Sequence, residues 1–112
     1  MSGLDGGKIS DEKNLLLNLG LCLRAGKLVL GVPMICEALR RKSGSIVLIV
    51  EASDTSEGTH KKIADKAAYY KVRTVRLNCD GATLASALGK TASLAAVAIT
   101  DIQMCRMVEK YI

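Results

Sequence analysis

Glu51 and Asp54 are the first residues of this chain whose types and spacing could do chemistry. They follow the apolar run Ile46 to Val50, and two carboxylates at the carboxyl end of a strand are placed for acid–base work, because ligands of α/β sheets gather there. A structural reading competes and is preferred. Asp54-Thr55-Ser56-Glu57 has a capping-box pattern, so Asp54 is expected to cap the next helix while Glu51 ends the strand. His60 is the single histidine. It sits on a segment with Lys61, Lys62 and Lys66 and reads as a solvated side chain. The cysteines at 22, 36, 79 and 105 form no Cys-x-x-Cys pair, and each lies in or beside an apolar segment. Small buried hydrophobes are expected, not a zinc site or a nucleophile. Gly89-Lys90-Thr91 resembles the tail of a phosphate-binding loop, but Leu84 stands where that loop needs glycine. The flanking order is also reversed, with a helix before and a strand after. No cofactor or metal is implied.

The elements that must position these residues are legible from periodicity. Ser10-Asp11-Glu12 reads as an N-cap followed by acids in a first helical turn. Leu15, Leu16, Leu19, Cys22 and Leu23 then repeat at helical spacing. Leu17 and Leu21 widen the stripe, so this helix is expected to be covered on more than one side. Gly26 stops it. Lys27 to Gly31 is a short apolar connection with the character of a brief strand. Gly31-Val32-Pro33 opens a second helix, since proline suits the first helical turn. Its inner face is Ile35, Ala38 and Leu39; Arg40, Arg41 and Lys42 close it and Gly44 ends it.

Ile46 to Val50 reads as a strand covered on both faces, as in the middle of a parallel sheet. The helix after it should bury Ile63, Ala64, Ala67 and Tyr70. Val72 to Leu77 alternates as a half-exposed strand. Asp80 to Leu88 is a short helix stopped by Gly89, and Leu94 to Thr100 is another apolar strand. Thr100-Asp101-Ile102-Gln103 is a second capping box, opening a helix whose Met104, Cys105 and Val108 face inward. Alternation of this kind predicts right-handed crossovers and a three-layer α/β/α sandwich. Residues 1–9 read as a flexible tail and 10–112 as one domain.

Composition bounds the function. In 112 residues there are 16 Lys and Arg against 11 Asp and Glu, a net charge of +5. At this size roughly 65% of the unfolded surface is buried on folding, enough for a core without disulfides or metal. Three Tyr with no Phe or Trp exclude a row of stacking rings that grips single-stranded nucleic acid. The apolar runs fall far short of a membrane span, so no membrane partner is expected. Reduced thiols and no export signal point to the cytoplasm. Residues 24–76 hold eleven Lys and Arg against five acids, +6, and the remainder of the chain carries −1. A basic segment of this kind attracts phosphate backbones.

The stretch from Leu15 to Lys42, LLLNLGLCLRAGKLVLGVPMICEALRRK, resembles the opening of the ribosomal protein L-seven-Ae family, in particular its short bacterial YlxQ-like branch. Arg24-Ala25-Gly26-Lys27-Leu28-Val29 followed by Gly31 is the most specific part. The resemblance continues through Ile46 to Glu51, Lys61 to Tyr70, Leu84 to Lys90 and Ala95 to Asp101. It implies an α/β/α sandwich around a mixed sheet of about four strands, with Lys27 to Leu30 as the extra strand. It also implies non-catalytic binding of structured RNA, often a kink-turn, with ribosomal RNA and a protein as further expected partners. Such RNA is read by shape, phosphates and a few base edges, so few rings are needed.

Residue by residue, the resemblance places the contact surface at Gly31, where a helix opens. Free N–H groups there take a phosphate, and glycine allows close approach. Arg24, Lys27 and Arg40 would add charge. Glu51 matches a family acid near the RNA, and Leu94 and Ala95 match an apolar loop packed near unstacked bases. Val32, Pro33, Met34 and Glu37 stand where the family carries an Asn-Glu pair and then a Lys. The base-reading amide and carboxylate are therefore replaced, and proline removes one backbone donor. Two other readings stay open. One is a protein-interaction module that keeps the fold and presents Val32, Pro33 and Met34 as an apolar lip. The other is a small enzyme built on Glu51 and Asp54.

Overall fold

A computed structural model describes residues 11–41 and 46–112. The expected tail at 1–9, the cap at Ser10 and the helix stop at Gly44 lie outside the described residues. Nine elements follow in order: α1 (Glu12–Arg24), β1 (Leu28–Leu30), α2 (Val32–Arg40), β2 (Leu48–Glu51), α3 (Glu57–Tyr70), β3 (Arg73–Arg76), α4 (Gly81–Ala87), β4 (Ala96–Ile99) and α5 (Ile102–Glu109). The four strands form one mixed sheet in the order β1-β4-β2-β3. β2 and β3 are parallel, and β4 runs antiparallel to both β1 and β2. Strands β1, β2 and β3 thus point one way and β4 the other. The central strand, expected inside a parallel sheet, has one parallel and one antiparallel neighbour.

Period-two alternation sends each strand's side chains to two separate cores. Leu48, Val50, Val75, Val97 and Ile99 meet Leu15, Leu19 and Cys22 of α1, Leu84 of α4, and Cys105 and Val108 of α5. On the other face Ile49, Ala96 and Ala98 meet Ile35 and Leu39 of α2 and Ile63 and Ala67 of α3. The alanines of β4 are small, so α2 can lie close against the sheet. This is the expected three-layer α/β/α sandwich.

Sequence expectations about burial change at Leu17, Leu21 and Ala64, and Tyr70 is half-buried where full burial was expected. Leu17 and Leu21 are exposed, because α1 covers the sheet with a single stripe, Leu15, Leu19 and Cys22. Leu17 lies two residues, about 200°, from Leu15. Ala64 is exposed for the same reason, turned about 100° from buried Ile63. The helix caps also shift. Ser56, not Asp54, caps α3 by accepting the Thr59 N–H, and Asp101, not Thr100, caps α5 through the Met104 N–H. In both segments the capping pattern begins ahead of the true first turn, whose start the tertiary fold selects.

Glu12 does more than complement the α1 dipole. Its two carboxylate oxygens accept the N–H groups of Asn78 and Cys79, each at 2.8 Å, and so staple α1 to the loop between β3 and α4. Charge-assisted bonds of this kind contribute about 2 kcal/mol. Glu12→Ala should therefore lower the unfolding free energy by that amount, read as a fall of about 1 M in the urea midpoint with an unchanged m value. A loss below about 0.5 kcal/mol would mean that water replaces the staple without cost.

Candidate nucleic-acid interface

One end of the sheet gathers the residues of interest. The Gly31 N–H donates to the Ala96 carbonyl at 3.0 Å, Ala96 stands opposite Glu51 in the β2–β4 ladder, and Glu51 stands opposite Arg76 in the β2–β3 ladder. Gly31, Ala96, Glu51 and Arg76 therefore form one row across all four strands. Alternation puts the whole row on the face covered by α2 and α3. The carboxyl ends of β1, β2 and β3 meet the amino end of β4 here, and α2, α3 and α4 all start here.

Gly31 is the N-cap of α2, with φ 87° and ψ 148°, a backbone region essentially confined to glycine. Asp11, Ser56, Asp80 and Asp101 cap the other described helices through side chains, but α2 has no side-chain cap. Pro33 carries no N–H, so the Val32 and Met34 N–H groups are the donors left without helical acceptors. They and the helix dipole make this end attractive to an anion.

Glu51 is 3% exposed, the single buried charged residue among those described. A buried carboxylate is tolerated only with partners. His60 supplies them, with Nδ1 at 3.0 and 2.8 Å from the two carboxylate oxygens. The Arg76 Nε lies 4.0 Å away, and Arg76 Nη2 donates to the Ser53 carbonyl at 3.1 Å. His60 is thus a partner of Glu51 from the first turn of α3, not a free solvated side chain as expected. Glu51, His60, Ala64, Thr74, Val75 and Arg76 line a recess of about 230 Å³. The exposed guanidinium can hold a phosphate or a carbonyl oxygen, and the carboxylate, already held by His60, can accept a further N–H only from a group that enters the recess.

The loop before β4 is pinned on both sides. The Ala95 carbonyl accepts the Ala52 N–H at 2.8 Å and, less closely, the Thr55 hydroxyl at 3.4 Å. Leu94 donates its N–H to the Gly81 carbonyl at 3.1 Å and packs half-buried on the α1, α4 and α5 core. Asp54 accepts the Gly81 N–H through Oδ1 at 2.9 Å. The two carboxylates considered for acid–base work therefore have separate partners, Glu51 in His60 and Asp54 in the start of α4.

The structure brings Gly31, Val32, Pro33, Met34, Glu51, Leu94 and Ala95 to this end. It does not bring Arg24, Lys27 or Arg40 there. Lys27 precedes β1 and Gly31 follows it, four residues and roughly 13 Å away. The Thr100 N–H bonds the Lys27 carbonyl, which fixes it beside the opposite end of β4. Arg24 ends α1 just before that point, and Arg40 lies about 13 Å down α2 from Gly31. Glu37 is held by Arg41 at 2.8 Å, one turn further along α2. Val32 packs on the α2–α3 core, so the exposed apolar lip reduces to Pro33 and Met34.

Sequence reasoning missed Arg76 and the pairing of His60. The alternation of Arg73 to Arg76 marks a strand, but only the parallel register sets Arg76 beside Glu51.

Of the four thiols expected to be buried, Cys22 and Cys105 are, while Cys36 and Cys79 are half-buried. Burial, reinforced by the Glu12 carboxylate, pushes Cys79 up to about 11. Burial and Glu109 push Cys105 up to about 11, and burial raises Cys22. These three stay protonated at neutral pH and offer no thiolate nucleophile. No cluster of three His, Cys, Asp or Glu ligands occurs among the described residues. No described helix is long and apolar enough to cross a membrane.

Comparison with known families gives one consistent match. The model of the ribosomal protein L7Ae/L30e/S12e/Gadd45 family fits residues 13–108, from α1 into α5. The chain belongs to this family. Within the L7Ae/L30e/S12e/Gadd45 family, it is 39% identical over 83 residues to the RNA-binding protein YlxQ of Bacillus subtilis, covering 74% of this chain and 79% of that protein. It is 43% identical over 54 residues to the RNA-binding protein YlxQ of Enterococcus faecium, covering 48% of this chain and half of that protein's length. A solved structure of a protein with unknown function from Bacillus halodurans C superposes with a TM-score of 0.75 at 26% identity, over 87% of this chain and 94% of that one.

Proposed function

We propose that this chain is a non-catalytic protein that binds structured RNA, with a kink-turn as the preferred motif, in a ribosome-associated and cytoplasmic setting. The observation that carries the reading is the row Gly31–Ala96–Glu51–Arg76 at one end of the sheet. It sets an uncapped, glycine-opened helix start beside a buried carboxylate and a guanidinium. The family and the RNA-binding relatives support it. A phosphate would sit at the Val32 and Met34 N–H groups. Glu51 would accept from an unstacked base whose other side meets Arg76. Leu94 and Ala95 would set the far wall. Val32, Pro33 and Met34 stand where the family carries its Asn-Glu pair, so sequence reading falls to Glu51, and shape and phosphates carry most of the affinity.

The experiment is a gel-shift titration of a kink-turn hairpin and an unkinked duplex at several salt concentrations. The hairpin should bind more tightly. Arg76→Ala should weaken it by about tenfold and make the salt slope shallower by about one unit. Lys27→Ala, at the other end of the sheet, should change affinity less than twofold or so. No binding to either RNA at low salt would end this reading. It would favour the alternative of a protein-interaction module, for which exposed Pro33 and Met34 at the start of α2 are the supporting feature.

A further inference from the structure

α3 has two unlike flanks. Its core-facing stripe is Ile63 and Ala67, and His60 and Ala64 turn toward Thr74 and Arg76 at the β3 edge. By helical geometry Gly58, Lys62, Lys66 and Tyr69 fall on the other flank. α2 packs on β1 and β4 and α3 on β3, so Lys66 turns toward the α2 side, where Gly31 begins its helix, while Lys62, Tyr69 and Gly58 turn progressively outward to solvent.

An open, shallow recess of about 680 Å³ runs along this side of α3, lined among the described residues by α3 alone, with Lys61 and Asp65 included. Lys61 is paired with Asp65 at 3.2 Å. Lys62 and Lys66 have no carboxylate within ion-pair distance among the described residues. Tyr69 is 78% exposed. Its ring rests edge-on against half-buried Tyr70, with centroids 4.8 Å apart. Gly58 presents no side chain at the upper end, and a Cβ there would meet nothing.

We infer that this flank of α3 seats the sugar–phosphate backbone of a duplex stem belonging to the same RNA that occupies the Gly31 end. The inference rests on the RNA-binding reading above and extends it to a second contact surface. Charge selects the occupant. Lys62 and Lys66, without an ion-pair partner among the described residues, stand at i and i+4, about 6 Å apart along the helix axis, a spacing that suits consecutive backbone phosphates. The stripe from Gly58 to Tyr69 is about 16 Å long, so a stem leaving the Gly31 end stays in reach along it. A single tyrosine held edge-on by its neighbour is not a stacking row. Its hydroxyl instead suits a phosphate oxygen or a ribose 2′-hydroxyl in the shallow A-form minor groove.

The test measures affinity of the full chain for a kink-turn hairpin with two long stems and for two versions in which one stem or the other is cut short. For the parent hairpin, Lys62→Ala with Lys66→Ala should weaken binding by about tenfold and make the salt slope shallower by about two units. Tyr69→Ala should weaken it without changing the slope. Both effects should vanish on one of the two shortened hairpins, the one lacking the stem that reaches α3. These side chains are surface groups, and unchanged thermal unfolding would show that the variants fold. Equal losses on all three hairpins would overturn the inference, since the lysines would then act only through general charge. No loss on the parent hairpin, while Arg76→Ala still weakens it, would overturn the inference and leave the Gly31-end reading standing. Failure of the unaltered chain to bind any hairpin would overturn both.

Discussion

Gly31→Asp should reduce affinity for a kink-turn hairpin by about a hundredfold, the largest effect expected of any single substitution in this chain. Two causes act together. At φ 87° and ψ 148° the backbone lies where only glycine rests without strain, so any side chain costs about 1–3 kcal/mol of stability. The cost is conformational, because a Cβ at Gly31 would meet only the Pro33 Cδ, at an ordinary 3.9 Å. The second cause is electrostatic. The carboxylate would sit at the positive end of α2, occupy its free N–H groups and repel a phosphate. Gly31→Ala separates the two, since it carries the strain without the charge. It should lose about tenfold by distorting the helix start. Equal losses in the two variants would make the effect one of backbone shape. An unaltered affinity in Gly31→Asp would remove this helix start from the RNA interface.

Gly81→Ala should lower stability by about 2 kcal/mol, a fall in Tm of about 10 °C. A Cβ at this buried position would overlap the Ser93 hydroxyl and come 2.7 Å from the Leu94 carbonyl oxygen and 3.3 Å from its carbon. The serine can rotate away. The Leu94 backbone cannot yield so easily, because its N–H is bonded to the Gly81 carbonyl and the Gly81 N–H to Asp54. Alanine's better helix propensity, about 1 kcal/mol, offsets part of the clash and is already counted. The displaced loop leads directly into Ala95 and Ala96, so RNA affinity should fall with stability. Ser93→Ala in the same chain should recover little. Full recovery would place the clash in the serine alone and free the loop from blame.

The fold was largely readable because its signals are local. The five-residue run Ile46 to Val50, the stop at Gly26 and the Pro33 helix opening each depend on a few neighbours in sequence. The shortfalls share another cause. Leu17, Leu21 and Ala64 are apolar, and hydropathy cannot tell how wide a stripe the neighbouring layers leave to cover. Asp54 heads a good capping pattern, yet its carboxylate reaches Gly81, 27 residues away. An acid before a helix suits both uses, and only the position of α4 decides between them.

The same division governs the interface. Residue type and order alone established a basic α/β chain with few rings, a glycine opening α2 and an acid closing β2. These follow from helix capping, hydrophobic periodicity and charge, which act over a few residues. Which of these groups meet was decided by the sheet order β1-β4-β2-β3. That order inserts β4 between β1 and β2, aligning Gly31, Ala96 and Glu51, and its parallel β2–β3 register adds Arg76. Arg24, Lys27 and Arg40 fall at the far end, because Arg24 and Lys27 precede β1 and Arg40 closes α2, each a full element away from Gly31. The +5 charge was a property of the sequence. Strand pairing fixed which of those charges face the uncapped helix start, because hydrogen-bond register acts between residues far apart in the chain.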